Sequence, residues 1–250
     1  LFREIVAAQE WYSPVYLPDQ LQTQFAPQVQ TLLLQSMVFG SYPEAAVTAD
    51  KPRYLANLAA DYLFKDVLQL GLVKTPDLIR RLLMLLAHQV GAEVSVNELS
   101  TSLGISRATV ERYLELPEET FVLFRLPAFS SNPRKEITKS QKVYFWDTGI
   151  RNALLNEYSL NPLRSDIGRL WENWVIAELA KQNLLAGRRA SFYFWRSRAG
   201  SEVDLVVQEG TALRAYEAKW SPQRVRTRSF SEQYQVEVEA LDRTRPLVTL

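Results

Sequence analysis

Three side chains within sixteen residues have the types and spacing for phosphodiester chemistry: Asp204, Glu217 and Lys219. They lie in Ser201–Trp220, which reads as a β-hairpin. Val203, Leu205 and Val207 alternate with Glu202, Asp204 and Val206, the period-two signature of a strand with two faces. A turn is expected at Gln208-Glu209-Gly210-Thr211, and Ala-Leu-Arg-Ala-Tyr-Glu-Ala-Lys-Trp forms the return strand. Glu217 and Lys219 are two residues apart, so they leave one face, separated by roughly 6–7 Å of strand rise. Asp204 on the neighbouring strand can converge with them. Three charges on a half-buried sheet are costly unless they share a cation or each other. Asp204 and Glu217 suit a hard divalent cation, Mg²⁺ or Mn²⁺, held through oxygen. Lys219 would then orient the attacking water and offset charge on the phosphate. A salt-bridged surface hairpin, with Lys219 neutralising Glu217, is the plainer alternative.

Upstream, Leu170, Trp171, Trp174, Val175 and Leu179 repeat at helical steps, and Glu172 lies near the start of that helix. The expected order is this helix, strands over Phe192–Arg196, Glu202–Val207 and Leu213–Trp220, a helix over Ser229–Ala240 and a strand over Pro246–Leu250. That α-β-β-β-α-β order resembles the PD-(D/E)XK nuclease core of Holliday-junction resolvases and restriction endonucleases. The resemblance implies catalytic roles for Glu172, Asp204, Glu217 and Lys219, with Glu172, Asp204 and Glu217 as metal ligands. Glu178 and Glu202 are expected at the surface or behind the ligands.

Composition narrows the chemistry. There is no cysteine and one histidine, His88, so thiolate nucleophiles, disulfides and His-rich zinc sites are excluded. The net charge of +1 gives no global field favouring nucleic acid. Locally, Arg214–Arg228 holds five basic residues against Glu217 alone, net +4, and places Arg224 and Arg226 beside the acids. Such a run fits a phosphate backbone, and equally a solvated loop. Apolar runs stay short of membrane-spanning length, and no signal peptide opens the chain, so a cytoplasmic location and no membrane partner are expected. Opening at Leu1 rather than at a methionine, the chain is expected to be part of a longer one.

Three segments are expected: helical residues 1–75, a winged-helix domain over 76–150 and a nuclease-like domain over 151–250, an α+β or α/β chain. In the first, Glu4–Tyr12, Leu21–Val38 and Tyr54–Leu70 carry apolar residues at helical spacing, punctuated by prolines. Pro76 starts a helix with a stripe of Leu78, Ile79, Leu82, Leu83, Leu86 and Val90. Ser95-Val-Asn-Glu98 reads as a capping box. A turn at Gly104-Ile105 and a cap at Ser106 then give a helix-turn-helix. Thr120–Leu126 and Lys142–Trp146 supply two strands of a wing. Nucleic-acid contacts are expected from Arg107 and Arg112 on the third helix and from Arg134, Lys135 and Lys139 in the wing. Gly104–Thr120 is nevertheless net −2, whereas Arg125–Lys142 is net +4, which favours the wing for backbone contact. Pro117 predicts that the third helix stops near Leu116, since an interior proline costs about 3 kcal/mol. Asp147 is expected to cap a short helix after the strand Val143–Trp146.

Asn97–Leu114, Tyr144–Leu154, Asp166–Val175, Phe194-Trp-Arg and Glu202-Val-Asp together resemble a large prokaryotic family of AAA-type ATPases, whose C-terminal half is a domain of unknown function. The resemblance implies an N-terminal ATPase domain as partner. That domain lies outside this sequence, and none of the nine glycines precedes a lysine, so no ATP site is expected here. Two functions follow. One is a C-terminal effector that hydrolyses DNA with Mg²⁺. The other is a non-catalytic regulatory module that binds DNA or protein. Homo-oligomerisation stays open.

Overall fold

The computed structural model describes residues 1–69, 76–130, 141–225 and 227–247; for 61–69 and 76 it describes the backbone alone. The chain is a mixed α+β protein in two compact units: residues 1–35, 126–139 and 161–250 in one, 36–125 and 140–160 in the other.

In the second unit, α4 (Pro43–Val47) and α5 (Lys51–Gln69) precede α6 (Pro76–His88). Ile79, Leu82, Leu83, Leu86 and, just beyond the helix, Val90 are fully buried, as their spacing predicts. The Ser95 hydroxyl accepts the Glu98 N–H at the start of α7 (Val96–Leu103). Gly104, at φ +67°, ends it in the left-handed conformation, and Ser106 accepts the Thr109 N–H to open α8 (Arg107–Glu119). Pro117 does not stop α8, which runs on to Glu119. Proline has no N–H to give the Tyr113 carbonyl, the helix ends two residues later, and the Pro117 carbonyl accepts the Val122 N–H. The strands β1 (Glu93–Val94), β2 (Leu123–Pro127) and β3 (Gln141–Phe145) form a sheet in the order β1-β3-β2.

The short helix α9 (Thr148–Leu155) is unusually rich in buried polar groups, and each has a task. Asp147 caps it, accepting the Gly149 N–H at 2.8 Å, and also accepts the Ser41 N–H at 2.7 Å. Asn152 donates to the Met37 and Val38 carbonyls, the unpaired end of α3 (Ala26–Phe39). Arg151 donates to the Ala87 carbonyl near the end of α6 and to the Asn152 side chain. One motif, Asp-Thr-Gly-Ile-Arg-Asn, thus closes the C-termini of two helices with carbonyls that would otherwise be buried unpaired. The approach is close: a Cβ on Gly40 would lie 1.8 Å from Asp147 Oδ1.

The first unit holds α1 (Phe2–Ala7), α2 (Pro18–Gln24), most of α3, α10 (Ile167–Leu185), β4 (Ser191–Arg196), β5 (Glu202–Glu209), β6 (Ala212–Lys219), α11 (Arg228–Tyr234) and β7 (Val238–Asp242). The helix expected over Leu21–Val38 is two helices, broken at Phe25, because Pro27 belongs in the first turn of a new helix. The sheet order is β4-β5-β6-β7, with β4-β5-β6 an antiparallel meander and β7 parallel to β6. The last helix is shorter than expected and the last strand comes earlier. Gln235 takes φ +57° and ends α11, freeing Val238–Asp242 to pair. Of the strand expected at Pro246–Leu250, residues 248–250 lie outside the described residues, and 246–247 are a turn.

Asn152→Leu is expected to leave the Met37 and Val38 carbonyls unpaired and to cost about 2–4 kcal/mol. Urea unfolding measures it; a loss under about 0.5 kcal/mol would show that these carbonyls find other partners.

Candidate functional site

The hairpin forms as its sequence predicts, closed at Gly210 with φ +61°, but its alternation is broken. Between the pairs Tyr193–Val206 and Trp195–Val203 the register shifts, so β5 carries one extra residue against β4. Val203 and Val206, three apart, consequently join one core cluster with Trp195, Ala215, Phe129 and Phe230. Strict period two would have put them on opposite faces. Asp204 lies in this irregular stretch.

The β5–β6 pairing, carried one step past Leu205–Tyr216, sets Asp204 opposite Glu217. Lys219 serves both. Its Nζ lies 2.8 Å from Glu217 Oε2 and 3.9 Å from Asp204 Oδ2. Two fixed neutral donors complete the cluster. The Ala218 N–H donates to Asp204 Oδ2 at 2.9 Å, and the Thr227 hydroxyl donates to Glu217 Oε1. Both carboxylate side chains are only 13% exposed, and Lys219 is 31% exposed. Burial acts against the Lys219 ammonium and is the largest single influence on it. The hydrogen bond to Glu217 and the charges of Asp204, Glu217 and Glu172 together outweigh that and hold its pKa above the usual lysine value.

The structure therefore brings Asp204, Glu217 and Lys219 together. Glu172, half-buried on α10, acts on Lys219 through its charge. Among the described residues no three of His, Cys, Asp or Glu gather closely enough to hold a metal ion. The pair Asp204 and Glu217 matches the one or two carboxylates that Mg²⁺ takes from a protein, the remaining positions going to water and substrate. Thr227 escapes a motif reading; its one signal is its place before Arg228-Ser-Phe-Ser-Glu, where a helix N-cap is expected.

Glu178 is buried rather than at the surface. It accepts the Phe2 N–H at 2.8 Å and pairs with Lys181, anchoring α1 beside Trp174. Glu202 lies 4.0 Å from Arg196. Arg224 is exposed after β6, and Arg107 and Arg112 are exposed on α8, Arg112 over the Tyr113 ring. Arg134, Lys135, Lys139 and Arg226 lie outside the described residues. Two cations counted toward the basic wing are otherwise engaged: Arg125 pairs with Glu118, and Lys142 is buried in β3 opposite Glu93.

Residues 30–160 match a domain of unknown function, DUF8612. Residues 167–248 match a second, DUF4143, which is found in C-terminal regions associated with AAA-type ATPases. An uncharacterized protein of Mycobacterium tuberculosis and one of Mycobacterium bovis are each 33% identical over 149 residues, 59% of this chain and 33% of their own length. An uncharacterized protein of Haemophilus influenzae is 23% identical over 189 residues, 72% of this chain and 43% of its own. The chain thus spans less than half the length of these relatives. No solved structure matches it.

Because the folded pKa of Lys219 is raised, the stability it contributes is complete below the unfolded value of 10.5 and is lost as pH climbs through the higher folded value. The gap in unfolding free energy between the wild type and Lys219→Met is expected to stay level from pH 7 to about 10 and to close only above that. A gap already closing below pH 9 in urea titrations would contradict the cluster described.

Proposed function

This chain belongs to the family of the domain of unknown function DUF8612, and we propose that it is the C-terminal effector region of an AAA-type ATPase whose carboxylate–lysine cluster hydrolyses DNA phosphodiester bonds with Mg²⁺. The observation that carries this reading is the meeting of Asp204, Glu217 and Lys219 on adjacent strands, each acid held by its own neutral donor. Asp204 and Glu217 would hold the cation, with Glu172 adding negative charge nearby. Bound magnesium would supply positive charge on a phosphoryl oxygen and a more acidic water. Lys219 would orient that water and offset the charge growing on the phosphate. The Thr227 hydroxyl and Ala218 N–H would keep the acids in place throughout.

The order α10-β4-β5-β6-α11-β7 supports a PD-(D/E)XK nuclease-like fold, and α6–α8 with the β1-β3-β2 sheet support a winged helix. The match at residues 167–248 to a domain of AAA-ATPase-associated C-terminal regions supports the ATPase as partner. Exposed Arg224, with Arg226, Arg134, Lys135 and Lys139, would meet the backbone of the substrate.

A second reading, a non-catalytic module that binds DNA or protein, draws on one observation. Glu111, Glu115 and Glu119 are all exposed along α8 beside Arg107 and Arg112. A face that hugs phosphates would carry cations there, so α8 favours a protein contact.

The test uses plasmid, single-stranded and branched DNA with MgCl₂ or MnCl₂. Cleavage by the wild type is expected to fall at least about 100-fold in Asp204→Asn and in Lys219→Ala. Equal cleavage by wild type and both variants removes the enzymatic reading.

A further inference from the structure

Each acid of the cluster is fixed by a donor that does not depend on Lys219: the Thr227 hydroxyl for Glu217 and the Ala218 N–H for Asp204. Thr227 is itself buried at the start of α11, and Ala218 is a paired residue inside β6. The ammonium differs in kind. It sits at the end of a flexible four-carbon stem, is strongly hydrated when free, and keeps 31% of its side chain exposed, a path to solvent. Two carboxylates reached by one ammonium, which itself also feels the charge of Glu172, repel one another if left without positive charge. One monovalent cation is therefore already seated where a divalent one would be held.

Building on the nuclease reading above, we infer that Lys219 is the resting occupant of the cation seat between Asp204 and Glu217, and that divalent cations bind only as its side chain swings out. The lysine has two posts. In the resting protein it neutralises the acids; once released it faces the phosphate. The site is held shut against metal at low concentration by its own ammonium group, and the rigid donors preserve the shape of the seat during the exchange. Thr227 is thereby a positioning residue, acting through Glu217.

The experiment compares wild type, Lys219→Met and Lys219→Arg by calorimetric titration with MnCl₂ and by thermal unfolding in chelator and in MgCl₂. Lys219→Met is expected to bind Mn²⁺ at least about tenfold more tightly than wild type, to melt lower in chelator, and to regain wild-type stability in MgCl₂. Lys219→Arg, which keeps a cation, should bind no more tightly than wild type. If Lys219→Met does not fold without metal, nitrogen-15 spectra of the wild-type lysine ammonium groups carry the test. The Lys219 signal should move toward that of exposed lysines as MgCl₂ is added. Equal Mn²⁺ affinity in wild type and Lys219→Met, or a Lys219 signal indifferent to bound metal, overturns the inference while leaving the metal-dependent reading standing. Absence of binding to all three proteins overturns both.

Discussion

Two carboxylates face each other across neighbouring strands, mostly out of water, and one ammonium group makes that arrangement tolerable. Without Lys219, Asp204 and Glu217 would carry like charges into a site where little solvent screens them. The strands must pair in one register for the three to meet, and the sheet must bend at β5 so that Val203 and Val206 both reach the core while Asp204 stays with Glu217.

Much of this was readable in the residues. Glu-x-Lys on one strand and an acid on the next foretell a shared face, and the hairpin has the predicted turn. The helix caps at Ser95 and Ser106 and the left-handed Gly104 follow from local chemistry that tertiary structure does not override. The failures have physical causes. Periodicity does not reveal a one-residue bulge, because either phase of an apolar run looks like a strand. Pro117 predicts a stop near Leu116, yet α8 closes only two residues after it, so the proline ends the helix within its last turn rather than before it. The end of α11 turns on Gln235 adopting positive φ, which its residue type does not advertise. Glu178, expected at the surface or behind the ligands, is buried away from them, because its partners are Lys181 and the Phe2 N–H, 176 residues away in sequence.

The other unit shows a different use of polar groups. Asp147, Arg151 and Asn152 are buried, and among their partners are backbone groups, Ser41 and, for Arg151, the Asn152 side chain. Such a motif is as distinctive in sequence as a catalytic one, and its work in the structure is to seal helix ends. Distinctive polar words in a chain thus divide into those that satisfy a backbone and those that concentrate charge, and the gathering of like-charged side chains marks the second kind.

The parallel attachment of β7 governs how this unit can assemble. The meander β4-β5-β6 joins neighbours in sequence and can form by local search, on the microsecond scale of about 1–10 μs per hairpin. Strand β7 must cross over through α11 to lie beside β6, and only then does the Leu241 carbonyl become available to the indole N–H of Trp171, 70 residues earlier. Helix α10, which carries Glu172, is therefore latched by the last strand of the sheet. Contact order predicts a quick hairpin and a later closing stroke in this unit, and the Trp171 latch beside the helical acid belongs to the later step.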